Sequence, residues 1–143
     1  MKEDIINDSD HISRYCPFQK LNEDGWPGPV AFQLGDNEEY VSVDWLEFFL
    51  KDSREEQLQN VRSILKKRGY TLQKYAKLAV LNVGYTKDKV KHGCNNNHEI
   101  YVAHRPTLGA NIDSHSGIFK CNSLYIATLI ALCTKETYPA QDP

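Results

Sequence analysis

The segment VAHRPTLGANIDSHSGIFK, residues 102–120, places His104 and Arg105 on one side of a polar loop and His115 on the other. A neutral imidazole accepts a proton near pH 7, a protonated one returns it, and a guanidinium stabilises charge developing on a phosphoryl group. Such a trio has the composition of a metal-independent phosphodiesterase or ribonuclease. His104 and His115 are read as the acid/base pair, with Arg105 or Arg14 as charge stabiliser. Asp113 is placed to orient a ring, and Ser114 or Ser116 to bind a phosphate oxygen.

His11 and Arg14, in DHISRYC, are further catalytic candidates. On a regular strand they point to opposite faces, so only a bend or a helical turn would join them. HGCNNNH offers His92, Cys94 and His98 as soft ligands, but a structural zinc site takes four, and three successive asparagines favour a turn. No metal and no cofactor is assigned. A glycine-rich phosphate loop, a G-x-S-x-G elbow, an H-E-x-x-H helix and a dinucleotide fingerprint are all missing from the sequence.

Charge supplies a second functional signal. The net charge of −2 conceals 5 Lys/Arg against 14 Asp/Glu in residues 1–57, then 9 Lys/Arg against a single Asp in residues 58–91. The basic stretch 62–91 interleaves cations with tyrosines, the combination that binds phosphates and stacks on bases. Lys74, Lys77, Tyr85 and Lys87 are accordingly expected to contact an RNA or nucleotide phosphate.

These residues need elements to position them. A length of 143 residues with 41% hydrophobic and 25% charged residues fits one folded domain able to bury a core without staples. The four cysteines show no C-x-x-C spacing and are expected as reduced structural thiols. The acidic start MKEDIINDSD has no signal-peptide pattern, and the longest apolar run, LYIATLIALC, is ten residues, too short to cross a bilayer of about 30 Å. A cytoplasmic protein with no membrane partner is expected.

Along the chain, residues 1–10 read as a loose start and HISRYCP as a short extended stretch ended by Pro17. VAFQL and YVSVDW read as an antiparallel strand pair, and Asp44 with Glu47 has the spacing of a capping box opening the short helix WLEFFLK. The clearest helix follows. Ser53 and Glu56 form an S-x-x-E box, Leu58, Val61, Ile64 and Leu65 recur at helical spacing, Lys66 to Arg68 suit the carbonyl end, and Gly69 follows. LAVLNVGY reads as a central strand, TKDKVKHG as one helical turn after Thr86, and EIYVAH and SGIFK as paired strands. NSLYIATLIALCTKETYPA reads as a helix capped by Asn122 or Ser123 and stopped by Pro139.

The expected architecture is a single compact α+β domain, residues 1–143, with a mixed or antiparallel sheet of about four to five short strands against two main helices. The leading functional expectation is a small enzyme acting on RNA or nucleotide phosphodiesters. Its rival is a non-catalytic protein-binding module of a bacterial regulatory or defence assembly. The C-terminal helix, apolar nearly all round, supports the rival because such a surface must be covered by the core, a protein partner or a second copy of the chain.

Overall fold

The computed structural model describes residues 4–107 and 113–142. Six strands form one antiparallel sheet, β1 (His11–Cys16), β2 (Tyr40–Trp45), β3 (Lys77–Asn82), β4 (Tyr101–His104), β5 (His115–Phe119) and β6 (Glu136–Pro139), in the order β4-β5-β2-β1-β3-β6. Among the described residues three helices, α1 (Arg54–Lys67), α2 (Val83–Gly93) and α3 (Leu124–Leu132), accompany the sheet in a compact α+β domain.

Strand alternation divides the core in two. On one face Leu78 and Val80 of β3 meet Leu58, Val61 and Leu65 of α1. On the other, Ile12, Val41, Val43, Leu81, Val102 and Ile118 pack with Val83 and Val90 of α2, Ile126 and Ile130 of α3, and Phe32. Helix α1 forms where its signals place it: the Ser53 Oγ accepts the Glu56 N–H at 3.2 Å. At its far end Gly69 takes φ +95° while Tyr70 N–H reaches back to the Leu65 carbonyl at 3.0 Å, a left-handed stop that glycine adopts without strain.

Elsewhere the structure corrects the sequence reading. VAFQL is no strand: Pro29–Phe32 form a 3-10 turn whose Ala31 and Phe32 are buried, and Pro29, lacking an N–H, opens it from Gly28. LAVLN ends as a strand at Asn82, whose Oδ1 accepts the Tyr85 N–H at 2.8 Å and starts the eleven-residue helix α2 four residues earlier than Thr86 suggested. The C-terminal helix ends at Leu132, and Glu136–Pro139 form an edge strand on β3, where a proline removes no needed donor. Residues 4–6 are not loose. Ile6, 2% exposed, donates its N–H to the Val102 carbonyl at 2.9 Å, so the segment extends the sheet edge beyond β4. Residues 1–3 of the expected loose start, and most of the loop after Arg105, lie outside the described residues.

Candidate active site

Strands β1 and β2 pair only at Ile12–Trp45 and Ser13–Asp44 and then part. Arg14 fills the opening: its Nε donates to the Ala31 carbonyl at 2.8 Å and its Nη1 to the Ser42 carbonyl at 2.7 Å. Two carbonyls fix the guanidinium without neutralising it. Beside it, at the sheet face where the end of α1 reaches over β2, lies a cleft of about 230 Å³. Arg14, Lys20, Ser42, Asp44, Arg68 and His115 line its polar part, and Tyr15 and Tyr70 its aromatic wall.

His115 enters the cleft from β5, opposite Asp44 in register. Its Nδ1 is 2.7 Å from the Arg105 carbonyl, which only accepts, so that nitrogen carries a proton. In the neutral ring Nε2 is then the acceptor and takes the Ser42 hydroxyl hydrogen at 3.2 Å, and both residues line the cleft. The Tyr40 ring stands edge-on to this imidazole, with centroids 5.8 Å apart, and fixes its plane. Gly117 makes that possible, since a Cβ there would run into the Tyr40 ring.

A buried ionic network forms the floor. Arg68 leaves the C-cap of α1 and grips Asp44 with both terminal nitrogens, at 2.6 and 3.1 Å, while its Nε lies 3.3 Å from Asp113 Oδ2. Ser114 Oγ adds a bond to Asp44 Oδ1 at 2.7 Å. Burial pushes the Asp113 carboxyl upward, but bonds from the Thr107 hydroxyl and N–H, the Arg68 charge and the His115 N–H outweigh it and hold Asp113 below its ordinary value. Burial alone would likewise lower Arg68, yet Asp44 and Asp113 raise it further. Arg68 is thus compensated by two carboxylates. Among the described residues neither Arg14 nor Lys20 forms an ion pair, so the cations that line the cleft outnumber its one lining carboxylate, Asp44.

The residues singled out from sequence divide sharply. Arg14 and His115 share the cleft. His104 does not, because it pairs with Ser116 rather than His115, and one residue of offset turns it to the opposite sheet face. There its ring packs on Trp45 and Phe48 at 5.3 and 5.4 Å, and Nε2 donates to the Asp113 carbonyl at 2.7 Å. The paired imidazoles expected across the loop mouth therefore do not meet. Ser116 is fully buried on that face, bonded to the Ser114 carbonyl. Arg105 lies over the Phe119 ring at 4.9 Å and bonds the His104 carbonyl. His11 is held by Glu47, Nδ1 to Oε2 at 2.7 Å, outside the cleft.

Of the basic-segment candidates, Lys87 pairs with Asp8 at 2.8 Å, and Tyr85 lies under Lys135 and Lys89 at 3.7 and 5.4 Å. Lys74 sits 5.5 Å over Tyr75, and Lys77 lines a separate groove. None of the four lines the cleft. Among the described residues no three His, Cys, Asp or Glu side chains are grouped to hold a metal ion. His92 caps the Asp88 carbonyl and His98 the Lys120 carbonyl.

Sequence reasoning missed Lys20, Ser42, Asp44 and Arg68 as site residues. Asp44 and Glu47 were accounted for as a capping box, but Asp44 lies in β2 and binds Arg68, while Glu47 binds His11. Only the even spacing of Tyr40, Ser42 and Asp44 in YVSVDW hinted at a shared polar face. No helix among the described residues is long and apolar enough to cross a membrane. Comparison of the chain with protein-family models, curated proteins and solved structures finds no match.

Proposed function

We propose that the chain acts on phosphodiesters of RNA or a nucleotide in the cleft between Arg14 and His115. The observation that carries the reading is the uncompensated Arg14 guanidinium, fixed by two backbone carbonyls and opening into the same hollow as a proton-accepting imidazole nitrogen. In this reading the phosphoryl oxygens bind Arg14 and Lys20. His115 Nε2 takes the proton of the attacking hydroxyl, a substrate 2′-OH or water, and returns it to the leaving oxygen. The hydrogen bond to the Arg105 carbonyl keeps the required tautomer and steadies the imidazolium between those two transfers. Preorganised cations aimed at the developing charge cost no reorganisation during reaction.

The test is turnover of a short oligoribonucleotide and of a 2′,3′-cyclic nucleotide by the wild-type chain, with and without chelator. His115→Ala should reduce turnover about 10²–10⁴-fold, whereas His104→Phe, on the other face, should retain it. Absence of wild-type cleavage, or equal cleavage by His115→Ala, overturns the reading.

The rival, a protein-binding module, is favoured by one observation. Leu124, Tyr125 and Leu132 on the outer side of α3 are 53%, 56% and 78% exposed, although its inner residues are covered. Light scattering of the wild type and of Leu132→Ser tests it: a monomer in both cases contradicts self-association through α3.

A further inference from the structure

Immediately beside the cleft, a 3-10 turn at Phe18–Lys20 separates it from a second, more apolar groove of about 440 Å³. Pro17 and Lys20 line the first hollow; Phe18, Leu21, Tyr75 and Lys77 line the second, with Glu23 as its one carboxylate among the described residues. Phe18 and Tyr75 are 59% and 63% exposed, with ring centroids 6.0 Å apart. Two large aromatic rings are thus presented to solvent at the border of a phosphate-sized cationic site.

The rings are also held in place. Phe18 N–H donates to Gln73 Oε1 at 3.1 Å, and the Gln73 N–H donates to the Tyr15 hydroxyl at 3.0 Å. The turn carrying Phe18, the loop carrying Tyr75 and the strand carrying Arg14 are therefore tied together. Tyr70, 44% exposed, stands edge-on to Tyr15 at 5.6 Å on the cleft wall, so each hollow carries its own aromatic pair. Cations alternate with these rings: Lys20 between the hollows, Lys74 over Tyr75, and Lys77 in the groove. Packing alone does not require exposed rings, and a surface that merely repels other proteins does not require them interleaved with lysines. A chain that alternates flat apolar groups with anions fits both.

We infer that the Phe18–Tyr75 groove is a nucleobase subsite that receives the nucleotide next to the phosphate held at Arg14, so that the ligand is a single-stranded polynucleotide rather than a mononucleotide. The inference rests on the phosphodiester reading of the cleft and narrows its substrate. Stacking is indifferent to base identity, so the subsite sets strand length and single-strandedness, with little sequence preference. Lys74 and Lys77, placed in the basic segment by sequence, act here beside the groove and not in the cleft.

The experiment measures fluorescence anisotropy with labelled single-stranded RNA and DNA of about 10 nucleotides, an RNA duplex, and a nucleoside monophosphate as competitor. Phe18→Ala and Tyr75→Ala should each weaken single-strand binding about 5- to 150-fold, the loss of one stacked base. Both should leave inhibition constants for the nucleoside monophosphate unchanged, and Tyr75→Trp should restore binding. Preference for RNA over DNA would assign recognition of the 2′-OH, and equal affinity would assign stacking and charge alone; either supports the subsite. Three results overturn it: unchanged single-strand binding in both alanine variants, duplex bound as tightly as single strands, or no gain of the oligonucleotide over the monophosphate. If the monophosphate binds and responds to Arg14→Gln, those failures leave the cleft reading standing. Loss of self-association in the alanine variants without loss of oligonucleotide binding would assign the groove to a protein and likewise overturn the inference.

Discussion

The Arg14 Nη1 donates to the Ser42 carbonyl at 2.7 Å, so the serine whose hydroxyl faces His115 Nε2 at 3.2 Å also anchors the cleft's fixed cation. This relation exists because β1 and β2 part after Ser13 and Asp44. Had the ladder continued, the Ser42 carbonyl would belong to a strand partner. The guanidinium replaces that partner, and the site is built into a gap in the sheet.

Arg68→Met should be severely destabilising. It leaves Asp44 and Asp113, whose side chains are 7% and 0% exposed, without their cation, and breaking a buried pair in this way costs about 3–5 kcal/mol. Lys66→Ala, which removes an exposed partner of Asp142 at 3.8 Å, should cost no more than about 1 kcal/mol. Urea denaturation of both variants checks the contrast.

The same network sets an acid limit. Asp113 is held below its ordinary value of 3.8, so its contribution to stability is complete above that value and is lost as pH falls through the lower value of the folded protein. Denaturation midpoints should therefore fall on acidification below about pH 4, and fall less steeply in Asp113→Asn, whose baseline stability should be lower at neutral pH.

Gly117→Ala should cost about 1–3 kcal/mol, the range for overpacking, because its Cβ would displace the Tyr40 ring that braces His115. Tyr40→Ala should relieve part of that cost in the double variant. Additive losses in a double-mutant cycle would show that the two residues do not collide.

Thiol reactivity should be graded by burial. Desolvation pushes Cys16 up to about 12 and Cys121 up to about 11, and raises Cys133 as well. Cys94, only partly buried, should be the first to react with a thiol reagent in the native protein, the other three following on unfolding. Rapid native labelling of Cys16 would contradict the packing at the start of the sheet.

Local signals carried much of the fold. Ser53, Glu56 and Gly69 defined α1, the runs YVSVDW, LAVLNVGY and EIYVAH located β2, β3 and β4, and the short pieces ended by Pro17 and opened by Ser116 fell on β1 and β5. What failed was chemistry that competes at one position. Pro29 turned an apolar run into a 3-10 turn, Asn82 capped a helix inside an apolar stretch, and TKETYP left helix for an edge strand because β3 offered it a partner. The site was legible only in part. Arg14 and His115 stand 101 positions apart in sequence, and their meeting depends on the order β5-β2-β1, which no local signal states. Whether His104 would face His115 depended on strand register, and pairing with Ser116 puts it on the other face.

Whether Arg14 and His115 bind a phosphoryl group together is read by titrating the chain with inorganic phosphate and following the ring nitrogens of ¹⁵N-labelled histidine. A saturable shift of His115 Nε2, with Arg14→Gln weakening phosphate about tenfold or more, as loss of a charge-assisted bond of about 1.5–3 kcal/mol requires, is the predicted result. A His115 ring unmoved by phosphate, or equal affinity in Arg14→Gln, would contradict it.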